Sequence, residues 1–335
     1  MSRILCVGSA SKDIFFPTDE GILMDTPEDI TAQKKIAFEV GAKYHVEDRF
    51  EAVGGVAANC AQGLSRLGLD AGCYSCVGAD QVGAWVIEEL RKENVSTELI
   101  EQKNGAQTDL SAILVMMQNG ERTIFFNRDA NELLKVDAEK LSGAEWMFVS
   151  ALNGEWEGNM KTILRTVREK NIKLAVNPGQ RNMKDDISVV LEAVKQADVL
   201  LVNKDEAIDL VLGMRQASHE QLQDESFLIR ALHEYGAKVI GMTDGIRGAW
   251  GYDGENMLHV DVLEQVAVDA TGSGDAFGSG FLSACIQGLG LEQSLRRGIV
   301  NGGNVVRFYG AKEGLLRLGE IENAAEQVNI SLLSA

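Results

Sequence analysis

Short apolar segments that alternate with amphipathic ones restrict the fold of this chain more than any other feature. Continuous apolar runs, typical of strands buried on both faces, include ILCVG, WMFVSA, IKLAVN, DVLLVN and AKVIGMT. Between such runs lie segments with helical periodicity, such as VAANCAQGLSRLG, QVGAWVIEELRKEN and ISVVLEAVKQ. Strands that alternate with helices predict an α/β sandwich of three layers, in which a mostly parallel central sheet carries helices on both faces.

Two segments interrupt this alternation, at residues 14–50 and 108–127. Both have strand-like composition without a crossover helix, and the Asn119-Gly120 pair is one preferred in tight hairpins. The pattern allows either a small separate sheet that covers a site or an extension of the main sheet at its edge. Because no linker or repeat divides the chain, we expect one domain over residues 1–335 with these two segments inserted in it.

The charge of the chain narrows the range of partners. The formal net charge is −18 over 335 residues, and 45% of the residues are hydrophobic. Such a charge predicts that neither nucleic acid nor an anionic membrane surface is a partner, although a local pocket can still bind an anion. No apolar run is long enough to span a bilayer, and the first residues lack the features of a secretory signal, so we expect a cytoplasmic protein.

The cysteines give no sign of a metal or disulfide framework. Cys73 and Cys76 form an isolated C-x-x-C in a segment that is typical of a buried strand. Side chains three residues apart on a strand point to opposite faces, so both are expected in the core. The four histidines show no zinc-ligand spacing.

The segment VDATGSGDAFGSGF, residues 268–281, is unusually rich in glycine for a connection between a strand and a helix. Gly272, Ser273 and Gly274 would present free N–H groups at the positive end of the helix dipole, which suits an anion. Asp275 would repel a phosphate there unless it acts as a base for an attacking hydroxyl group. A plain helix start capped by Ser273 remains an equal alternative from this segment alone.

Four segments in order extend the argument over most of the chain. GGVAANCAQGLSRLG, VNKDE, TDGIRG and DATGSGDAF resemble the successive motifs of the ribokinase-like (PfkB) carbohydrate kinases. The resemblance implies a ribokinase-like sandwich with a small β-sheet lid, and the segments 14–50 and 108–127 fall where the family inserts that lid. It also implies an ATP-dependent phosphotransferase.

The resemblance assigns roles to particular residues. Asp275 would be the catalytic base, and the backbone N–H groups of Gly272–Gly274 would form the anion hole for the transferred phosphoryl group. Asn203 and Glu206 would hold Mg²⁺ through water and orient the phosphates. Thr243 and Gly245 would line the nucleotide site. The residues that would bind the acceptor are Asp13, Gly54, Gly55, Asn59, Arg128 and Asn131.

Two further expectations follow from the resemblance. Asp269 precedes the anion-hole loop at a place where the family often binds K⁺, although Ala270 replaces the usual threonine beside it. A homodimer formed through the β lid is the expected assembly.

The sequence favours a kinase of a sugar or a sugar-derived small molecule, with three alternatives. A nucleoside kinase of the adenosine type on the same fold stays open because aromatic residues that could stack on a base lie in the first inserted segment: Phe15, Phe16, Phe38 and Tyr44. A non-catalytic binding protein on this fold is disfavoured by the intact Gly-x-Gly-Asp and Asn-x-x-Glu motifs. A dinucleotide-dependent oxidoreductase is disfavoured because the first strand lacks its glycine fingerprint.

Overall fold

The computed structural model describes residues 3–25, 34–118, 120, 122–263, 265 and 267–333. Asn119 of the predicted hairpin therefore lies outside the described residues. The strands are β1 (Arg3–Val7), β2 (Ser11–Thr18), β3 (Ile22–Asp25), β4 (Lys34–Ala37), β5 (Phe50–Gly54), β6 (Asp70–Gly78), β7 (Ser96–Lys103), β8 (Leu110–Met116), β9 (Arg122–Phe126), β10 (Trp146–Val149), β11 (Lys173–Val176), β12 (Val199–Asn203), β13 (Val239–Thr243), β14 (Ala249–Tyr252), β15 (Met257–Val260) and β16 (Ser331–Leu333). The α-helices are α1 (Val56–Arg66), α2 (Gln81–Lys92), α3 (Trp156–Lys170), α4 (Gln180–Asp185), α5 (Ile187–Gln196), α6 (Lys204–Met214), α7 (His219–Gln223), α8 (Glu225–Tyr235), α9 (Ser273–Ile286), α10 (Gly290–Val305) and α11 (Leu318–Ala325).

The main sheet has ten strands in the order β16-β15-β14-β13-β12-β11-β10-β1-β6-β7. Pairing is parallel from β7 to β13 and antiparallel from β13 to β16. The chain leaves β1 toward β6 on one side and later returns to β10 on the other. The strand order therefore reverses at β1, and the carboxyl ends of the strands near such a reversal form the usual ligand crevice of open α/β sheets.

A separate sheet lies outside the main one, in the order β5-β2-β8-β9. Its β2 pairs antiparallel with β5 and parallel with β8, and β8 pairs antiparallel with β9. The strands β3 and β4 form a further two-stranded sheet. The predicted sandwich with a small separate sheet is confirmed, and the two inserted segments do not extend the edge of the main sheet.

Two apolar cores cover the two faces of the main sheet. One contains residues of α3, α5, α6 and α8, and the other contains residues of α1, α2, α9 and α10. Cys76 packs in the first core and Cys73 in the second, as the spacing predicts, and neither forms a disulfide bond. These cores hold the strands in register and thereby fix the positions of the loops at their carboxyl ends.

Glycines allow α9 to pack unusually close to its neighbours. A Cβ atom added to Gly280 would meet the backbone carbonyl group of Arg297 on α10, and one added to Gly63 of α1 would meet Ser279 of α9. Part of the glycine richness of residues 268–281 thus serves helix packing rather than ligand access.

Within the described part of the chain, no helix combines the length and apolar character needed to cross a membrane.

Candidate active site

The start of α9 is shaped by a glycine and lacks a side-chain cap. Gly272 has a φ of 76°, and a Cβ atom there would collide with Ala311. The hydroxyl group of Ser273 donates to the carbonyl oxygen of Ala270 at 3.0 Å, so it does not cap the helix. The Ser273 N–H group makes a long bond of 3.4 Å to the same oxygen, and the Gly274 α-carbon faces open space. The first turn of α9 therefore leaves N–H groups open to a ligand.

Asp269 joins the loop before α9 to a second loop. Its side chain is fully buried, and one carboxylate oxygen accepts bonds from the N–H group and the hydroxyl group of Thr271, at 2.9 and 2.7 Å. The other oxygen accepts a 3.0 Å bond from the N–H group of Gly310. Because both oxygens are engaged by loop atoms, Asp269 fixes the position of the glycine-rich turn.

Asp275 lies in the first turn of α9 and contacts α1. Its Oδ2 atom accepts a 2.8 Å hydrogen bond from Nδ2 of Asn59. Burial raises the pKa of Asp275 to about 6, the nearby charge of Asp13 adds to this increase, and the Asn59 bond opposes it. Oδ1 of Asn59 is buried and has no hydrogen-bond partner among the described residues. A hydroxyl group that donates to this atom would remove the cost of leaving it unpaired.

Asp13 is buried in the small sheet, where β2 lies between β5 and β8. A Cβ atom on Gly54 would collide with the carboxyl group of Asp13, so this glycine makes room for the acid rather than for a ligand. Burial raises the pKa of Asp13, the charge of Asp269 adds to it, and bonds from Ser111 and Ser11 lower it. Asp13, on the small sheet, and Asp275, on helix α9, are therefore neighbouring acids in a desolvated region.

The other residues predicted to bind the acceptor follow strands of the small sheet, Gly55 after β5 and both Arg128 and Asn131 after β9. Gly55 has a φ of 91°, and a Cβ atom there would meet the carbonyl oxygen of Ser9. The side chain of Asn131 is buried and bonds the N–H and carbonyl groups of Ala10, at 3.3 and 2.8 Å. It thus braces the segment between β1 and β2. Arg128 is exposed and donates to Oδ1 of Asn153 at 3.0 Å.

Asn203 and Glu206 form a capping box at the start of α6. The N–H group of each residue donates to the side-chain oxygen of the other at 2.9 Å. Burial raises the pKa of Glu206 to about 7, opposed by the Asn203 bond and increased by the charges of Asp205, Asp209 and Asp275. Among the described residues no group of three or more His, Cys, Asp and Glu could hold a metal ion. A divalent ion here would need ligands from a bound molecule or water.

Two cavities adjoin the start of α9. One, of about 240 Å³, is lined by Asn203, Glu206, Thr243 and Asp275 among others. The second, of about 340 Å³, has a largely apolar lining that includes Gly245, Thr243 and Gly274. Thr243 and Gly274 line both, so the two cavities adjoin along one edge of the sheet. The residues predicted to orient the phosphates, Asn203 and Glu206, therefore lie next to those predicted to line the nucleotide site, Thr243 and Gly245.

This arrangement can be compared with known proteins. The model of the pfkB family of carbohydrate kinases matches residues 2–316. The chain belongs to this family. The predictions that it is a kinase and that it has the ribokinase-like fold are both confirmed.

Relatives of this kinase are distant in sequence, and the matches extend over most of their length. It is 25% identical over 261 residues to an uncharacterized sugar kinase from Archaeoglobus fulgidus, covering 76% of this chain and 98% of the relative. It is 24% identical over 318 residues to a nucleoside kinase from Methanocaldococcus jannaschii, covering 94% of each. A solved structure from E. coli, described as a ribokinase II in complex with ATP and Mg²⁺, has a TM-score of 0.75 and 20% identity, and covers 98% of this chain and 100% of that one.

Several cavity residues of this kinase were not identified from the sequence. Asn177 follows β11 and lines the smaller cavity, and its Nδ2 atom donates to the carbonyl oxygen of Leu201. Ile246, Val262 and Leu263 line the apolar cavity from loops that no motif marks. A polar residue directly after an apolar strand was the available signal for Asn177, because ligands collect at carboxyl strand ends.

Proposed function

We propose that this kinase transfers the γ-phosphoryl group of ATP to a hydroxyl group of a sugar or a sugar-derived small molecule. The observation that supports this most directly is the position of Asp275. Its carboxylate lies beside open N–H groups of a helix start and is bonded to Asn59, which also carries an unpaired buried oxygen. An acid next to an anion site suits a base that takes a proton from an acceptor hydroxyl.

The transfer then follows from the proposed roles of these residues. Asp275 accepts the proton of the acceptor hydroxyl as that oxygen bonds to the γ-phosphorus, and the bond from the γ-phosphorus to the oxygen bridging it to ADP breaks. The N–H groups of Gly272–Gly274 stabilise the charge of the phosphoryl oxygens. Asp13 and Asn59 hold acceptor hydroxyl groups, while Gly55 and Asn131 fix the backbone around them. Phosphoryl transfer depends mainly on such positioning and charge stabilisation.

The apolar cavity supports ATP as the donor. Three exposed apolar side chains line it together, those of Ile246, Val262 and Leu263, and such a surface suits contact with a nucleobase. Gly245, with a φ of 50° and open space on its α-carbon side, would let the base approach the backbone. The E. coli structure with ATP bound has the same fold.

Mg²⁺ is proposed as the accompanying ion. Glu206 fits it, because a half-buried carboxylate with a raised pKa gains from a nearby cation, and Asn203 holds the Glu206 backbone in place. Mg²⁺ typically binds one or two carboxylates together with substrate phosphates and water. When bound, it would neutralise charge on the phosphates.

A nucleoside acceptor is the second candidate. The nucleoside kinase relative matches over 94% of its length, and Phe38 and Tyr44 form an exposed aromatic pair with ring centroids 5.3 Å apart. Phe15, in contrast, is fully buried in the core of the small sheet and offers no stacking surface. We therefore rank sugars above nucleosides.

An ADP-release screen tests the proposal. Pentoses, hexoses, keto-deoxy sugar acids, sugar phosphates and nucleosides would each be offered with ATP and Mg²⁺, and kcat/KM compared. We expect a polyhydroxylated sugar derivative to give the highest value. A nucleoside with the highest value would replace the sugar assignment, and no turnover above background hydrolysis with any acceptor would refute both.

A monovalent cation beside the anion hole is a further part of the proposal. Asp269 already binds both Thr271 and Gly310, so K⁺ would contact loop carbonyl oxygens and strengthen the same brace. We expect kcat to be higher with KCl than with tetramethylammonium chloride at equal ionic strength. Equal kcat in the two salts would contradict a role for K⁺.

The small sheet is proposed both as a lid and as a dimer interface. Segments 14–50 and 108–127 contribute to its strands, and β9 at its edge leaves the apolar side chains of Ile124, Phe125 and Phe126 exposed. An edge strand with exposed apolar side chains is suited to pairing with another chain. We expect the sedimentation coefficient of a dimer, and that of a monomer for Phe125→Ser. A monomeric wild type at micromolar concentration would contradict this assembly.

The cysteines, all free, fit the predicted cytoplasmic location.

A further inference from the structure

A third cavity, of about 420 Å³, opens at the carboxyl edge of the main sheet beyond the two described above. It is lined by the loop after β10 and by the segment after β11 that includes α4, together with Arg128 from the loop after β9. In the sheet order β10 lies directly beside β1, which leads into the strand that carries Asp13. The cavity therefore adjoins the proposed acceptor site, whereas the apolar cavity lies by β13 on the opposite side.

Two cations in this cavity have no carboxylate partner among the described residues. Arg128 bonds the neutral side chain of Asn153 at 3.0 Å, and its guanidinium group lies 4.9 Å from the ring centre of Phe126. Lys184 lines the same cavity from α4 and makes no ion pair within the described part of the chain. In a protein with a net charge of −18, two unpaired cations facing one cavity mark a local site for an anion.

Arg181 lines the same cavity but, unlike Arg128 and Lys184, is paired with carboxylates. It lies 2.8 Å from Glu132 and 3.6 Å from Asp185, so its charge is compensated. The other carboxylate oxygen of Glu132 accepts a 2.7 Å bond from the N–H group of Gly154. This network holds the cavity wall in shape and leaves the positive charge of Arg128 and Lys184 for a ligand.

We propose that the acceptor is a sugar derivative with an anionic oxygen group, either a carboxylate or a phosphate, held between Arg128 and Lys184. The inference rests on the proposed function: the hydroxyl chain of the same molecule extends past Asp13 toward Asp275. A carboxylate, which is planar, and a phosphate, which is tetrahedral, both present anionic oxygen atoms that a guanidinium group and an ammonium group bind well. A nucleobase suits the cavity poorly, because its lining holds no aromatic residue and only Ala151 and Leu152 are apolar.

The test compares matched acceptors on the full-length protein. A neutral ketohexose, its phosphate monoester and a 2-keto-3-deoxy sugar acid are each assayed with ATP on the wild type. We expect one anionic acceptor to exceed the neutral sugar at least tenfold in kcat/KM, and the better of the two identifies the source of the anion. Lys184→Gln and Arg128→Gln should each lower that kcat/KM by about ten- to hundredfold, mainly through KM.

Two controls separate charge from structure. Lys184→Arg keeps the positive charge and should retain most of the activity on the anionic acceptor. Lys195→Gln removes another exposed lysine, on α5 and outside the cavity, and should match the wild type. A wild type that prefers the neutral sugar to both anionic ones, or a Lys184→Gln variant with unchanged KM, would overturn the inference while leaving the proposed function intact. No turnover of any acceptor would overturn both.

Discussion

Asp275→Asn is expected to lower kcat by about 10²–10⁴-fold, the range typical of the loss of a general base. Asparagine keeps the size of the side chain, so the contact with Asn59 in α1 can persist while the ability to accept a proton is lost. The measurement is kcat with saturating ATP and acceptor. Thermal unfolding of the same preparation establishes that the variant is folded.

Glu192→Gln is the matched control, because it removes one exposed carboxylate from α5, away from the cavities. Its kcat should equal that of the wild type. An Asp275→Asn variant with near-normal kcat would show that another group takes the proton.

The pH dependence follows from the same assignment. Asp275 must be ionised to act as a base, and its pKa is raised to about 6, so kcat/KM should rise with pH through that value. The pKa of Asp275 in the folded protein exceeds its ordinary value of 3.8, so between these two values the folded state keeps a proton that the unfolded state has lost. The free energy of unfolding therefore falls as pH rises from about 4 to about 6. Asp275→Asn should therefore be more stable than the wild type at pH 8, and this gain should vanish near pH 3.

Asp13→Ala is expected to weaken use of the acceptor by about 2–5 kcal/mol, or roughly 30- to 5,000-fold in kcat/KM. The carboxylate is buried in the small sheet beside Gly54, and burial raises its pKa, so it is costly to keep there without a hydrogen-bonding ligand. The measurement is kcat/KM for the best acceptor, together with KM for ATP. The KM for ATP should change little, because the apolar cavity lies on the other side of Asp275.

Asp13→Asn provides the comparison, since it keeps a hydrogen-bond acceptor oxygen without the charge. It should fall between the wild type and Asp13→Ala in acceptor kcat/KM. Equal acceptor kcat/KM for Asp13→Ala and the wild type would remove Asp13 from the acceptor site.

The sequence predicted the parallel part of the main sheet well, because each of its strands from β10 to β13 is a continuous apolar run buried on both faces. It did not indicate β7, the parallel strand at one edge, in which buried and exposed residues are mixed. It also did not indicate β14, β15 and β16, which pair antiparallel at the other edge and have three or four residues each, too short for a clear period. The sequence also could not decide whether the inserted segments form their own sheet. The answer depends on the pairing of β2 with β8, which are almost a hundred residues apart in the chain.

The candidate site was predictable where local chemistry was unusual. The run of glycines before Asp275 and the Asn203–Glu206 spacing stand out in the sequence because each needs a special backbone or cap. The resemblance pointed to Arg128, whereas nothing in the sequence pointed to Lys184. Lys184 lies on a six-residue helix with no distinctive pattern, and it lines the same cavity as Arg128 only because the tertiary fold brings the loop after β9 to the segment after β11.

The close glycine contacts of α9 with α10 and α1 have a consequence for the timescale of motion. The backbone of α9 lies against α10 at Gly280, and the side chain of Ser279 on α9 lies against the backbone of α1 at Gly63, so sliding or rotation of α9 would produce a steric clash. Its amide hydrogens should exchange with solvent among the slowest in the protein, whether or not nucleotide is bound. We therefore expect the start of α9 to stay in place during turnover. The small sheet, as the proposed lid, would then supply the microsecond-to-millisecond rearrangements that admit and release the acceptor.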